Sequence, residues 1–343
     1  MSNLQIGLSI AGGLLLAAVV AHGAWSARKV APRQPSGEDA APASIPSAIE
    51  PSLEQDDFGP STIPQVLAEK RPGLDALIDV ITPIALETEV RGEAALAASP
   101  VTRRVGSKPF AVEGLNAHSR QWETPAAGQH YEAFQAGIQL ANRSGALNEI
   151  EFSEFVAKTQ AFCDAIGGMP DFPDMIEAVA RARELDQFAS HHDAQLYFTL
   201  RARNAAWSPG YVQQHAARLG FLPGALPGRM VLPAAGAGLP PVLSLGFDTQ
   251  AALAEDPQQA AVREVSLALD VAQVDRAEQP YVRLRELSQA LAQAMDGSVT
   301  DDNGQPLARE TMDEIGGSLE TLYDLLQGRD LAAGSAQARR LFS

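Results

Sequence analysis

An apolar run from Leu4 to Trp25 is the feature that most limits how this chain can fold. It spans 22 residues without a formal charge, and only Gln5, Ser9 and His22 interrupt its apolar character. At ~1.5 Å per residue the run makes a helix of roughly 33 Å, enough to cross a hydrocarbon core of about 30 Å. Since a backbone in lipid must satisfy its own hydrogen bonds, the run predicts a transmembrane helix.

The charges around this run predict its orientation. A cleaved signal peptide is the alternative, but it needs basic residues before a shorter apolar core, and no basic residue precedes Arg28. Positive charge follows the run at Arg28, Lys29 and Arg33, which places the downstream chain in the cytoplasm and the short N-terminus outside. We therefore expect an uncleaved, single-pass protein held in the lipid bilayer by residues 4–25.

Composition restricts the partners of the part outside the bilayer. The net charge of -16 argues against a nucleic-acid groove and against docking on anionic lipid, so the expected partners are proteins. Cys163 is the only cysteine, which excludes an intramolecular disulfide, and its apolar surroundings predict a buried side chain.

The pattern along the chain divides it into five segments. Residues 31–66 contain seven prolines and no apolar period, which predicts a linker with a maximum reach of about 110 Å at ~3.1 Å per residue. The predicted segments are an anchor with its basic flank at 1–29, a disordered Pro/Ala-rich linker at 30–70, a first copy of a folded unit at 71–192, a second copy at 193–327, and a flexible tail at 328–343.

The two folded copies share one order of elements. Strand, loop and helix recur at an offset near 118 residues, and a later strand and helix recur at an offset near 130. The pattern predicts a divergent internal duplication of a β-α-β-β-β-α unit. The expected fold class is α+β, with antiparallel sheets whose helices pack on one face.

These features together resemble the ZipA family, bacterial division proteins that tether FtsZ to the inner membrane. The resemblance rests on AHGAWSARK at 21–29, on the Pro-rich linker, and on 193–327, where the element order includes MDGSVTDDNGQPL at 295–307. The extra copy at 71–192, the short linker and the long tail depart from the family pattern. The resemblance implies a split β-α-β domain, FtsZ as partner, and a role in assembling the division ring at midcell.

The resemblance also implies a binding site, a shallow apolar groove on the helix-free face of the second copy's sheet that receives the C-terminal peptide of FtsZ. Strand alternation turns Leu196, Phe198 and Leu200 toward the helices and leaves Tyr197 and Thr199 open. The predicted protein-binding residues are Tyr197, Thr199, Met230, Leu232, Val242, Ser244, Gly246, Ser266 and Ala268.

This predicted face is small and polar for a peptide groove, which leaves three interpretations. Binding is weak, or the first copy contributes to it, or the register is wrong by one residue, which would exchange the two faces.

No motif in the sequence predicts catalysis, a cofactor, a metal or a small-molecule substrate. The loop GAGLPP at 236–241 lacks a third glycine and a helix start, and GSK at 106–108 lacks the rest of a phosphate-binding loop. Adjacent His191 and His192 have no cluster of further ligands, and residues 301–304 miss the spacing of a calcium loop and instead predict a hairpin turn. We therefore expect a non-enzymatic binding protein.

Two functions of different kinds remain open. The first is a membrane tether that binds FtsZ. The second is an envelope or division scaffold that binds other proteins through its first copy or its tail, without affinity for FtsZ.

Overall fold

A computed structural model describes residues 33–34, 73–256, 260–301 and 304–343. The predicted anchor at 4–25 and nearly all of the linker lie outside these residues. No helix among the described residues is long and apolar enough to cross a membrane.

The described residues fall into two compact units. We use "first domain" for residues 73–194, 271–277 and 317–343, and "second domain" for the described residues within 33–34, 195–270 and 278–316. The first domain therefore gathers three separate stretches of the chain.

The first domain is built on a six-stranded antiparallel sheet with the order β2-β3-β5-β1-β8, in which β4 also pairs with β3. A small two-stranded sheet joins β6 to β7. The strands are β1 (Asp79–Arg91), β2 (Arg104–Val105), β3 (Lys108–Asn116), β4 (Trp122–Glu123), β5 (His130–Gln139), β6 (Ala141–Asn142), β7 (Gly145–Ala146) and β8 (Gly168–Pro170).

Residues 73–194 of this domain contain three helices: α1 (Gly92–Ala98), α2 (Glu149–Ile166) and α3 (Met175–His192). Helix α2 begins at a capping box, because the Asn148 side chain accepts the backbone N–H of Glu151 and the Glu151 carboxylate accepts that of Asn148. Its apolar face packs on the sheet, with the rings of Phe134 and Phe162 edge to face at 5.4 Å. Cys163 is fully buried beside them, which confirms the sequence prediction, and burial raises its thiol pKa to about 11.

The second domain has a sheet of the same kind, with the order β10-β11-β12-β13-β9-β14. Its strands are β9 (Gln195–Ala202), β10 (Leu222–Pro223), β11 (Arg229–Leu232), β12 (Leu243–Gly246), β13 (Glu264–Asp270) and β14 (Gly297–Thr300). Its helices are α4 (Pro209–Arg218), α5 (Thr249–Ala252), α6 (Pro280–Met295) and the first part of α7 (Arg309–Gln327).

The two sheets share one arrangement. In each, the first strand lies between a long strand and a short one that follow later in the chain: β1 between β5 and β8, and β9 between β13 and β14. A helix precedes the short strand in both domains. The α+β class with antiparallel sheets and helices agrees with the sequence prediction.

The end of the chain differs from the flexible tail predicted at 328–343. Residues Ala336–Leu341 form helix α8, and Ser335 caps it by accepting the backbone N–H of Ala338. Leu341 and Phe342 are buried in the first domain, and the Gln273 amide donates to the Phe342 carbonyl at 2.7 Å. The tail is ordered because its apolar side chains find a surface far away in sequence.

An ion pair attaches this tail to the first strand of the sheet. The two terminal nitrogens of Arg340 donate to the two carboxylate oxygens of Asp79 at 2.9 and 2.5 Å. The Asp79 side chain is fully buried, whereas that of Arg340 is 19% exposed. Burial raises the pKa of Asp79, and the bonds from Arg340 act against this rise.

We predict that Arg340→Ala lowers the free energy of unfolding by about 3 kcal/mol, because it leaves a buried carboxylate without its counter-charge. The loss should shrink as the pH falls through the raised pKa of Asp79, where the carboxyl becomes neutral. Urea denaturation at several pH values measures both effects.

The matched control is Asp79→Asn combined with Arg340→Met, which removes both charges and should recover much of the lost stability. A loss in Arg340→Ala that does not change with pH would contradict the assigned role of the pair.

Arg33 docks on the second domain by both backbone and side chain. Its N–H donates to the Ala206 carbonyl at 2.7 Å, and the Ser208 N–H donates to its carbonyl at 2.9 Å. Its guanidinium bonds the Asp296 carboxylate at 2.7 Å and the Met295 carbonyl at 3.2 Å. The bond from Asn204, together with Arg33, lowers the pKa of Asp296. A residue expected in the linker is therefore part of the second domain.

We predict that Arg33→Glu releases this contact, because two carboxylates would then face each other. Hydrogen exchange at the Ser208 amide should become several-fold faster, while the Trp207 amide, which donates to the Val262 carbonyl, serves as the internal control. Adding Asp296→Arg should restore slow exchange. Unchanged exchange at Ser208 in Arg33→Glu would show that the side chain does not hold the segment.

Candidate protein-binding surfaces

The sheet of the second domain has one face covered by helices. Phe198 on β9 meets the ring of Tyr281 on α6 at 6.4 Å, edge to face. Residues paired across the strands share this face because side chains alternate along each strand. They are Phe198, Leu200, Met230, Leu243, Leu245, Val265 and Leu267, all buried.

The opposite face carries a continuous row of directly paired residues, which we call the second-domain row. It runs Leu222, Val231, Ser244, Ala268 and Tyr197, from β10 across to β9. Leu222 and Tyr197 at the two ends are exposed by 54% and 46%. The small side chains of Ser244 and Ala268 therefore lie between bulkier neighbours, and we call the shallow surface that they form the floor of the row.

The size of this row limits what can lie on it. Val231 and Tyr197 are three strand spacings apart, or about 14 Å. A helix with its side chains is about 10 Å wide, so the floor has room for one helix or one extended segment. Beside the row, the Arg229 side chain lies over Gly246, where an added Cβ would come within 3.1 Å of a guanidinium nitrogen. A peptide on the floor would meet one positive charge at this border.

Six of the nine residues predicted to bind a partner lie on the open face of the sheet. Thr199, Gly246 and Ser266 pair on the open face next to the second-domain row, and Tyr197, Ser244 and Ala268 belong to the row itself.

The predicted open-face positions of Met230 and Leu232 are wrong. They pair with Leu245 and Leu243, so both belong to the helix-covered face, and Val231 and Arg229 occupy the open positions instead. Val242 precedes β12, is 1% exposed, and donates its N–H to the Leu232 carbonyl. Strand β11 reads Arg-Met-Val-Leu, and three adjacent apolar residues leave its alternation undecided in the sequence.

The first domain carries a second row that the sequence did not reveal, which we call the first-domain row. It runs Trp122, Leu115, Ala133, Ala85 and Met169 across β4, β3, β5, β1 and β8. Trp122 and Met169 are exposed by 39% and 58%, and the residues between them are Leu115 and two alanines. All five residues are apolar, so this row offers a more apolar floor than its counterpart. It was missed because it depends on the register between strands far apart in the chain.

The contacts of a buried polar cluster in the first domain indicate a structural role. Lys108 is fully buried, and its amine donates to Asn142 Oδ1 at 3.0 Å and to Ser107 Oγ at 2.8 Å. Ser107 in turn donates to the Glu151 carboxylate at 3.0 Å. Burial lowers the pKa of Lys108, and the nearby Glu151 charge opposes this. The cluster ties β3 to the start of α2.

The residues considered for metal binding have local partners. Nδ1 of His191 and Nδ1 of His192 lie 2.6 and 2.7 Å from the carbonyls of Gln187 and Phe188, one helical turn earlier. Asp301 accepts the Gln305 N–H at 2.8 Å within the predicted hairpin turn. Among the described residues, no group of three or more His, Cys, Asp or Glu side chains could hold a metal ion.

Comparisons with known proteins add little to this geometry. No protein-family model matches the chain, and no curated protein matches it. Among solved structures it is similar to berberine bridge enzyme from Eschscholzia californica, with 8% identity and a TM-score of 0.17. The alignment covers 77% of this chain and 52% of that one, so the chain spans about half the length of that enzyme. A TM-score of this size does not establish a shared fold.

The strand register of β11 can be tested by stability. We predict that Met230→Ala lowers the free energy of unfolding by about 3 kcal/mol, since Met230 is 3% exposed and its loss leaves a cavity. Val231→Ala, on the half-buried open face, should cost less than about 1 kcal/mol. Urea denaturation compares the two variants, and a larger loss in Val231→Ala would mean that the faces are exchanged.

Proposed function

We propose that the chain is a bacterial inner-membrane tether that binds the C-terminal peptide of FtsZ and links the division ring to the membrane. Residues 4–25 anchor it with the N-terminus in the periplasm, and both folded domains lie in the cytoplasm. It acts by binding and has no catalytic role.

The observation that carries this proposal is the second-domain row. An open sheet face with small Ser244 and Ala268 between Val231 and Tyr197 matches the shallow groove that the ZipA resemblance implies. Apolar side chains of a bound peptide would stabilise the complex by covering the floor, by about 25 cal/mol per Å² of apolar area that is buried. The resemblance of the anchor and of the hairpin at 295–307 supports FtsZ as the source of the peptide.

The first-domain row favours a related second candidate, a scaffold that binds another division protein through its first domain. Its five apolar residues make a stronger apolar surface than the second-domain row. The tail is a poor docking motif for such a partner, because the side chains of Leu341 and Phe342 are buried. One set of surface variants separates the two candidates.

The test uses full-length protein in detergent and a fluorescent peptide of the C-terminal residues of the host's FtsZ. We predict that Ala268→Glu weakens binding at least tenfold, or by about 1.4 kcal/mol, because it puts a carboxylate on the apolar floor. Ala85→Glu on the first-domain row should leave binding unchanged. Fluorescence anisotropy measures both dissociation constants.

Leu253→Glu is the matched control, because Leu253 is an exposed apolar residue of the second domain that lies outside the row. Loss of binding in Ala85→Glu alone would move the site to the first domain. A wild-type chain that does not bind the peptide, and that spreads evenly around the envelope instead of collecting at midcell, would reject the tether.

A further inference from the structure

Strand β3 of the first domain has an unpaired stretch along its outer edge. Strand β2 pairs with β3 at Lys108 and Pro109, and β4 pairs with it at Gly114 and Leu115. Between them, Ala111, Val112 and Glu113 pair only with β5 on the inner side. The gap is three residues long, or about 10 Å.

The backbone N–H and carbonyl of Val112 face away from β5, toward this unpaired edge. The N–H groups of Phe110 and Asn116 donate away from β5, to the carbonyls of Arg103 and Gln121 at 3.0 Å each. Since backbone groups alternate along a strand, Val112 turns its N–H and its carbonyl to the same outer side. Neither group has a hydrogen-bond partner among the described residues. The N–H and the carbonyl of Val112 can therefore form hydrogen bonds with an added strand at this sheet edge.

A cavity of about 390 Å³ lies along this edge. Its apolar lining includes Leu74, Leu96, Pro100, Phe110 and Ala111. Phe110 belongs to the helix-covered face and Ala111 to the open face, so the cavity reaches to both sides of the edge. Side chains that alternate along an added strand would therefore find apolar surface on both sides.

One end of the cavity is basic, although the whole chain carries a net charge of -16. Arg103 lines the cavity and Arg104 follows it, both exposed. Lys158 on α2 donates to the Arg104 carbonyl at 2.7 Å, and its amine lies 5.8 Å from the centre of the Phe110 ring. None of the ion pairs within the described ranges includes these three side chains. The cluster would attract a negatively charged group at the Phe110 end of the edge.

We propose that this edge binds an extended peptide in which acidic residues adjoin a short apolar stretch. One peptide residue exchanges two backbone hydrogen bonds with Val112 and so extends the sheet by one strand. The side chain of that residue lies on the helix-covered face with Val112, and its two neighbours turn to the open face beside Ala111. The acidic C-terminal end of the peptide lies against Arg103 and Lys158. A folded partner cannot pair here, because β2 and β4 leave only three residues free. This site is separate from both rows and serves a second partner beyond FtsZ.

The experiment uses full-length protein and three synthetic hexapeptides with blocked ends. The probe is Leu-Val-Ile-Val-Asp-Glu, because a strand antiparallel to β3 brings its C-terminal end to Phe110 and Arg103. The second peptide has Lys-Lys in place of Asp-Glu, and the third is the probe methylated on its Val, Ile and Val backbone nitrogens. We expect the probe to bind and to slow hydrogen exchange at the Val112 amide at least tenfold. The lysine peptide should bind at least tenfold more weakly, and the methylated one should not protect Val112.

Surface variants locate the site. Arg103→Glu should weaken binding of the probe at least tenfold, whereas Arg91→Glu, an exposed charge reversal on β1, should not change it. Ala268→Glu should also have no effect, which separates this site from FtsZ binding. Unchanged exchange at Val112 with the probe in excess would overturn the proposal. Equal affinity for the acidic and lysine peptides would overturn the assigned charge of the partner.

Discussion

Each sheet depends on the backbone pairing of its first strand, which is held on both sides by strands that come later in the chain. β1 lies between β5 and β8, and β9 lies between β13 and β14. A strand held on both sides cannot slip by one residue without disturbing two ladders and turning its apolar residues away from the helices. This constraint fixes which side chains face the helices, and therefore also which ones form the floor of each open row.

The first domain adds a constraint of its own, because its C-terminal part comes from the far end of the chain. Asp79 begins β1, and its carboxylate is buried against Arg340, the residue before the apolar pair Leu341 and Phe342. Such contacts between distant residues cost chain entropy, and they form only after the intervening chain is synthesised. A fragment that ends before residue 317 would therefore lack part of this domain, which is why point variants of the whole chain are the better probes.

Much of the fold could be predicted from local patterns. The α+β class followed from the order of the elements, and the outward direction of Tyr197 and Thr199 followed from alternation along β9. The sequence could not decide β11, where Met230, Val231 and Leu232 are all apolar. It also could not reveal the first-domain row or the free edge at Val112, because both depend on register between strands that are far apart in the chain. The order of the tail was hidden for the same reason, since its partners are remote.

The docking of Arg33 limits the distance between the second domain and the membrane on the proposed topology. On the proposed topology the membrane helix ends at Trp25, and eight residues then lead to Arg33, which is bound to Asp296. Fully extended, eight residues span about 28 Å, far less than the roughly 110 Å that the whole linker could reach. The second domain would then be able to meet its partner only within a thin layer beneath the bilayer. Such confinement raises the effective concentration of the domain toward a filament lying along the membrane and lowers it toward one farther inside the cell.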